Sequence, residues 1–322
     1  MSTEITTTKN ELTQSQKFTE KVLAEFTGGV GEIAVTDFQK RLIQGYFITI
    51  DAVLKKAELN RLKKDEKKRD ALPVIWQNVN LETLAQTAVH VARLGLDSLC
   101  PNHINFIPFK NKATGKYDLT LIMGYKGKEV QAVKYGLDVP ETLIFELVYT
   151  TDIFKPVKRS LTNKVESYEF EMVNPFNRGE IMGGFAYGMF KDENKNRLLI
   201  MSMKDFEKRK PEYASTEFWG GEKTIWKDGK PSKEKEKVEG WLDEMCMKTL
   251  KRAAYSQITI DSQRIDDTYQ FLKQRENDTI DTRVQDAIEE NANSEVIDIP
   301  CEVKTPEVKQ EVKPEQERKP GF

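Results

Sequence analysis

An α+β fold is predicted: a small, hairpin-rich antiparallel sheet packed with helices and followed by a flexible acidic C-terminal tail. Three observations predict it. "HINFIPFK" and "YDLTLIMGY" place β-branched and aromatic residues on either side of the turn signal "NKATGK", which is the pattern of a β-hairpin. "GGFAYGMF" and "NRLLIMSM" repeat it around "KDENKN". Two other stretches, one after Asn80 and one ending at Ser256, carry apolar residues at the helical period.

Composition sets the bounds. The chain has 322 residues, 38% of them hydrophobic and 32% charged, enough to bury a core while leaving a polar, uncompacted share. No run approaches the length of apolar residues that would span a membrane. The N-terminal "MSTEITTTKNELTQSQ" lacks the apolar centre of a signal peptide. Cys100, Cys246 and Cys301 are three, widely spaced, and suit a reducing compartment without a disulfide framework. A cytoplasmic location is expected. The net charge of -2 conceals an asymmetry: from Asp261 onward there are 16 acidic and 9 basic residues, leaving 36 acidic and 41 basic before it, out of 52 and 50. A mildly basic body with an acidic appendage suits a binder of polyanions.

In order along the chain, residues 1–36 are rich in Thr, Ser, Gln and Gly and are expected to be a flexible arm. From Asp37, Phe38, Leu42 and Tyr46 recur at four-residue spacing, a helix running to about Asn60. "KKAELNRLKKDEKKRD" is read as a solvated helix face or loop. Asn80 is an N-cap for a helix with Leu81, Leu84, Ala85, Ala88 and Ala92 along one side, and Gly95 ends it. His90 falls on the other side and is expected in solvent. After the first hairpin, the turn "GYKG" leads into a short helix, roughly Lys128 to Tyr135. "ETLIFELVYTTDIF" and "ESYEFEMV" are further strands, and "KDFEKRKPEYAS" is a short helix or turn. "EFWGGEKTIWKDGKPSKEKEK" is expected to be an ordered loop at best.

Val238 to Ser256 is the clearest helix. Leu242, Cys246, Thr249, Leu250, Ala253 and Ala254 fall on one side, and Lys248, Lys251, Arg252 and Tyr255 on the opposite one. From Ile280 to Gly321 no aromatic residue occurs, and Pro, Glu, Lys and Val dominate, so residues 261–322 are assigned to a largely disordered tail.

Several chemistries find no motif. GxxxxGK[ST], the phosphate cradle of nucleotide hydrolases, is absent, and no GxSxG elbow occurs. Cys100 and His103 form one C-x-x-H pair, which supplies two of the four ligands zinc needs. Carboxylates are abundant, yet no D-x-D or E-x-K cluster sits on a strand end. A binding protein without covalent chemistry is favoured. A metal-dependent nuclease and a structural oligomer with no DNA role are the alternatives.

"RLGLDSLCPNHINFIPF", "LTLIMGYKG", "GGFAYGMF" and "WLDEMCMKTLKRAA", preceded by "DALPVIW", occur in the order and at the intervals seen in phage RecT-type single-strand annealing proteins, which this chain resembles over roughly Asp37 to Ile260. One departure is "PSKEKEKVEG", which mixes signs where the family is more basic. The resemblance implies a phage- or prophage-encoded protein, similar in concept to Redβ, that binds single-stranded DNA and pairs complementary strands without ATP. It implies assembly with itself into rings or helical filaments, and an annealed duplex intermediate. It also implies work beside a 5′-to-3′ exonuclease and contact with the host single-strand binding protein. On this reading residues 37–260 are the DNA-binding and oligomerisation core, and residues 261–322 bind partner proteins. No cofactor is expected, with magnesium a modulator of DNA pairing and not a bound site.

Annealing requires phosphate repulsion to be neutralised along two strands while base edges stay free. Candidate DNA contacts are therefore cations on rigid elements and rings that stack on bases. "GYKG" offers both. Gly124 and Gly127 let backbone approach a phosphate, Lys126 adds charge, and Tyr125 either stacks or fills the core beneath the turn. Lys248, Lys251 and Arg252 are expected to line a DNA groove. Lys110, Lys112 and Lys116 around the first hairpin turn, and Arg178 in "NPFNRGE", are further candidates.

Overall fold

Asn80 and Gly95 bracket a helix as their residue types dictate. In the computed structural model, which describes residues 12–28, 35–211, 214–227 and 230–278, the Asn80 side chain accepts from the Thr83 amide, and Gly95 closes the helix with φ at 78°. That helix, α3 (Leu81–Leu94), buries residues almost all round, Thr87 and Val91 as well as the predicted alanines. It does so because two helices lie against it: α1 (Gln14–Gly28) and α2 (Asp37–Leu62). Thr36 and Gln39 form a capping box that starts α2 at the expected position.

The presence of α1 corrects the expectation of a flexible arm over residues 1–36. Phe18, Val22 and Phe26 are fully buried, and Phe18 sits 5.8 Å from the ring of Trp76. Each such burial contributes about 1.5–3 kcal/mol, which ties the segment down. A Thr- and Gln-rich composition hid three apolar residues at four-residue spacing. Residues 1–11 lie outside the described residues.

The first hairpin forms as predicted. Strands β1 (Ile104–Asn111) and β2 (Lys116–Met123) pair antiparallel, and Ile104, Phe106, Tyr117 and Leu119 pack into the same core as α1–α3. Helix α4 (Tyr125–Tyr135) follows, starting three residues earlier than expected because "GYKG" is its first turn.

A second core surrounds a three-stranded antiparallel sheet of order β3–β6–β7, formed by β3 (Thr142–Tyr149), β6 (Ile181–Met189) and β7 (Arg197–Ser202). Strand β6 is central and buried on both faces. Phe185 and Tyr187 point to the hairpin of β4 (Ile153–Val157) and β5 (Ser167–Glu171), where Phe154 stacks on Phe185 at 4.7 Å. Ala186 faces helices α5 (Met203–Glu207) and α7 (Leu242–Ser256) through Phe206, Cys246, Leu250 and Ala254. Burial pushes the Cys246 thiol up to about 11, so it remains a packed, protonated core group.

Three further expectations change. The Gly- and Lys-rich stretch expected as a loop contains helix α6 (Thr216–Trp219) and a paired hairpin, β8 (Gly221–Lys227) with β9 (Lys230–Val238). Alternating Lys and Glu in "KEKEK" carry no apolar signal, yet cross-strand pairs such as Lys235 with Glu222, at 2.6 Å, suit an antiparallel ladder. Residues 261–278 are not part of a free tail. Ser262–Arg264 form a 3-10 turn, residues 267–278 form helix α8, and Thr268 and Leu272 are buried in the first core. His90 consequently does not face solvent: it stacks on Phe271 at 4.1 Å with Nδ1 3.3 Å from the Thr268 hydroxyl. Residues 279–322, with the remainder of the expected tail, lie outside the described residues. No helix among the described residues is long and apolar enough to cross a membrane.

Candidate nucleic-acid interface

Helix α7 is amphipathic, and the packing of its apolar stripe on the β3–β6–β7 sheet decides where its cations go. With Cys246, Leu250 and Ala254 locked against the sheet, Lys248 and Lys251 project beside β3 and the first turn of α4. The Lys251 ammonium lies 5.2 Å from the ring centre of Tyr125 and 5.7 Å from that of Phe145. It makes no ion pair among the described residues, so its charge is held in place by aromatic faces alone. Lys248 is 3.3 Å from Glu244, one helical turn away on the same face, and both are substantially exposed. Such a pair contributes little and opens at low cost.

These residues line an open cleft of about 360 Å³. Tyr125, Lys248, Lys251 and Arg178, four residues from three separate parts of the sequence, meet there with Tyr149, Met247 and the carboxylates of Glu146, Asp243 and Glu244. Tyr125 is partly buried in the cleft wall. It lines the cleft and is not among the buried core residues. Lys126, next to it, is exposed.

Gly124 and Gly127 serve another purpose than the one expected. A Cβ on Gly124 would stand 2.2 Å from the Asn102 carbonyl oxygen, and one on Gly127 would stand 2.4 Å from that of His103. The Gly124 amide donates to His103, and the Lys126 and Gly127 amides donate to Asn102, at 2.9 to 3.3 Å. The "PNH" turn therefore occupies the space and the amides that a phosphate would have used. The glycines permit backbone to approach backbone.

Arg178 lines the cleft, but its guanidinium is committed. It donates to both oxygens of Asp152, whose side chain is 0% exposed, and to the Leu147 carbonyl at 2.7 Å, and it lies 4.2 Å over the Tyr149 ring. Burial works to raise the Asp152 carboxyl, but Arg178 and the Tyr149 amide hold it below the usual carboxylate range. Arg178 braces the wall.

Arg252 turns away from the cleft. Its Nη1 donates to the Met123 carbonyl at 3.3 Å, and its guanidinium is 3.8 Å from Glu276 of α8. Glu276 also contacts Lys128 at 3.1 Å and Lys273 at 3.4 Å. Burial raises the Glu276 carboxyl, but these cations outweigh it and keep it ionised below its ordinary range. Sequence position put Arg252 beside Lys251; the docking of α8 gives it a different neighbourhood.

The hairpin-tip lysines stand apart as well. Lys110 is held by both carboxylate oxygens of Asp70 at 2.7 and 2.9 Å. Lys112 and Lys116 are exposed at the tip, roughly 24 Å along the strands from the end of the hairpin that feeds α4. Phe145, Glu146 and Tyr149 were not singled out in the sequence, because an alternating strand carries no mark of which face meets a cleft. No three His, Cys, Asp or Glu residues among those described come together as a metal-ligand set.

Residues 54–287 match the family model described as RecT. No curated protein and no solved structure matches the chain.

Proposed function

The chain belongs to the RecT family, whose members bind single-stranded DNA and anneal complementary strands in recombination without ATP, and we propose that this chain does so through the cleft between α7, β3 and the start of α4. The observation that carries the proposal is the convergence of Tyr125, Lys248 and Lys251 on one open cleft from sequence positions more than a hundred residues apart. Lys248 and Lys251 neutralise phosphates, Lys126 extends the charge along the exposed start of α4, and Tyr125 offers a ring for sequence-tolerant stacking worth about 1–3 kcal/mol per base. The carboxylates of Glu146, Asp243 and Glu244 keep the cleft from becoming a trap. Strands that bind too tightly to one subunit would not exchange partners.

One subunit offers few phosphate contacts, so a useful hold on flexible strands comes from repeating the site in a ring or filament. The residues beyond α8 are proposed to meet partner proteins, an exonuclease and a single-strand binding protein among them. The deciding experiment is an annealing assay with labelled complementary oligonucleotides, without ATP, comparing wild type with Lys248→Ala/Lys251→Ala and Tyr125→Ala. The expected result is faster duplex formation by the wild type and loss of most of that acceleration in the variants. Duplex formation no faster than in buffer would end the reading. Strand shortening in the presence of magnesium would support the nuclease alternative.

A further inference from the structure

Phe176 is 99% exposed, and it is displayed by an ordered turn. The Asn174 side chain accepts from the Phe176 and Asn177 amides, and Thr151 hydrogen-bonds to the Asn177 and Arg178 carbonyls. Val173, three residues earlier, is 55% exposed. Exposed apolar residues are common singly, but this ring is held out on a hydrogen-bonded turn and is wholly available to a second surface that has a hole for it.

A receiving surface exists at the other end of the central sheet. An apolar cavity of about 230 Å³ is lined by Leu137, Pro140, Leu143, Phe190, Leu199 and Ile258. A cavity of roughly 150 Å³ accepts a benzene ring, so there is room for a benzyl group. The Phe176 turn enters β6 at Ile181, whereas the cavity lies where β6 ends, by Gly188 and Phe190. Along the strand the two are roughly 26 Å apart. Charges match across that distance. Glu171 and Glu180, exposed and without ion-pair partners among the described residues, flank the Phe176 turn in sequence. Arg197, likewise exposed and free of ion pairs among the described residues, stands on the cavity rim with Lys195, which neutralises Asp138 at 2.9 Å.

We propose that Phe176 of one subunit inserts into the Leu143–Phe190 cavity of the next copy of this chain, with Glu171 and Glu180 facing Arg197. The contact is heterologous, knob at one end and hole at the other, so it propagates into a ring or an open filament and does not stop at a two-fold dimer. No cation stands beside Phe176 in sequence between Val173 and Asn177, whereas the DNA cleft proposed above carries Lys248 and Lys251 next to its ring. The proposal deepens the repeated-site reading above by supplying the contact that repeats the site.

The test uses the full chain and reads its assembly by mass photometry, with and without complementary oligonucleotides, on wild type, Phe176→Asp, Arg197→Glu and Glu171→Arg/Glu180→Arg/Arg197→Glu. Phe176 and Arg197 are exposed, so folding is expected to be intact, and circular dichroism checks it. Each single variant is expected to lose the large oligomer, the charge-swapped triple variant to regain it, and an equimolar mixture of Phe176→Asp with Arg197→Glu to give discrete dimers through the one intact interface. A wild type that never assembles, or a Phe176→Asp variant that assembles as wild type does, overturns the proposal. So does loss of binding by dilute Phe176→Asp to an oligonucleotide short enough for one subunit, because that outcome makes Phe176 a DNA contact. If assembly responds as expected but no variant or wild type anneals DNA, the contact stands and the annealing function falls.

Discussion

Replacing Lys248 and Lys251 together by alanine removes two charges from the cleft with little cost to the fold. The Lys248–Glu244 pair spans one turn of α7 in solvent and contributes about 0.3–0.5 kcal/mol, and Lys251 rests on Tyr125 and Phe145 without an ion pair among the described residues. The effect on DNA is larger and has a definite form. Each phosphate neutralised on a single strand contributes about 0.7 to the slope of log affinity against log salt. Losing two contacts therefore lowers the slope by about 1.4. Between roughly 50 and 200 mM salt the wild type then loses about 7-fold more affinity than the variant, since a fourfold change in salt is raised to that power. Fluorescence anisotropy with a labelled oligonucleotide at four salt concentrations measures both slopes. Equal slopes would show that these lysines touch no phosphate and would refute the assignment of the cleft.

Arg178→Ala strands the fully covered Asp152 carboxylate and is expected to cost about 3–5 kcal/mol in urea unfolding, while binding per folded molecule stays close to wild type; a loss below about 1 kcal/mol would contradict its bracing role. Gly124→Ala forces a Cβ against the Asn102 carbonyl and is expected to lower stability by about 1–3 kcal/mol; unchanged stability with weakened DNA binding would restore the phosphate-approach role. Burial, then Arg93, hold the His90 imidazole below its ordinary pKa of 6.5 against the pull of Asp266 and Asp267. A depressed folded value means that neutral His90 supports the docking of α8 fully above about pH 6.5 and loses that support as pH falls toward the folded value. The protection factors of amides across residues 267–278, corrected for the intrinsic exchange rate at each pH, are therefore expected to fall between about pH 7.5 and about pH 5.5, and to fall less in His90→Phe; equal protection factors at both pH values would remove His90 from the contact.

Much of the architecture was readable because it rests on local rules. Asn80 and Gly95 delimit α3, "NKATGK" folds the first hairpin, and the apolar stripe of α7 is the one that packs. Where local composition and tertiary burial disagreed, composition misled. Gln14–Gly28 is polar on average but buries three residues, and residues 267–278 begin a stretch that is acidic overall but close over His90. The hairpin of β8 and β9 is stabilised by cross-strand charge pairs, which leave no apolar period to detect.

The candidate site divides the same way. Helical periodicity alone determined that Lys248 and Lys251 share a face of α7, and residue type alone marked Tyr125 and Lys126 as a ring and a charge in a strand-to-helix turn. Only the tertiary structure decided that Lys251 would rest on Tyr125 and Phe145, that Arg178 would spend its charge on Asp152, and that Arg252 would turn to Glu276. The physical reason is range. A helix face or a turn is set by bonds spanning a few residues, whereas the partner of a charge is set by whichever distant segment folding brings within a few ångströms.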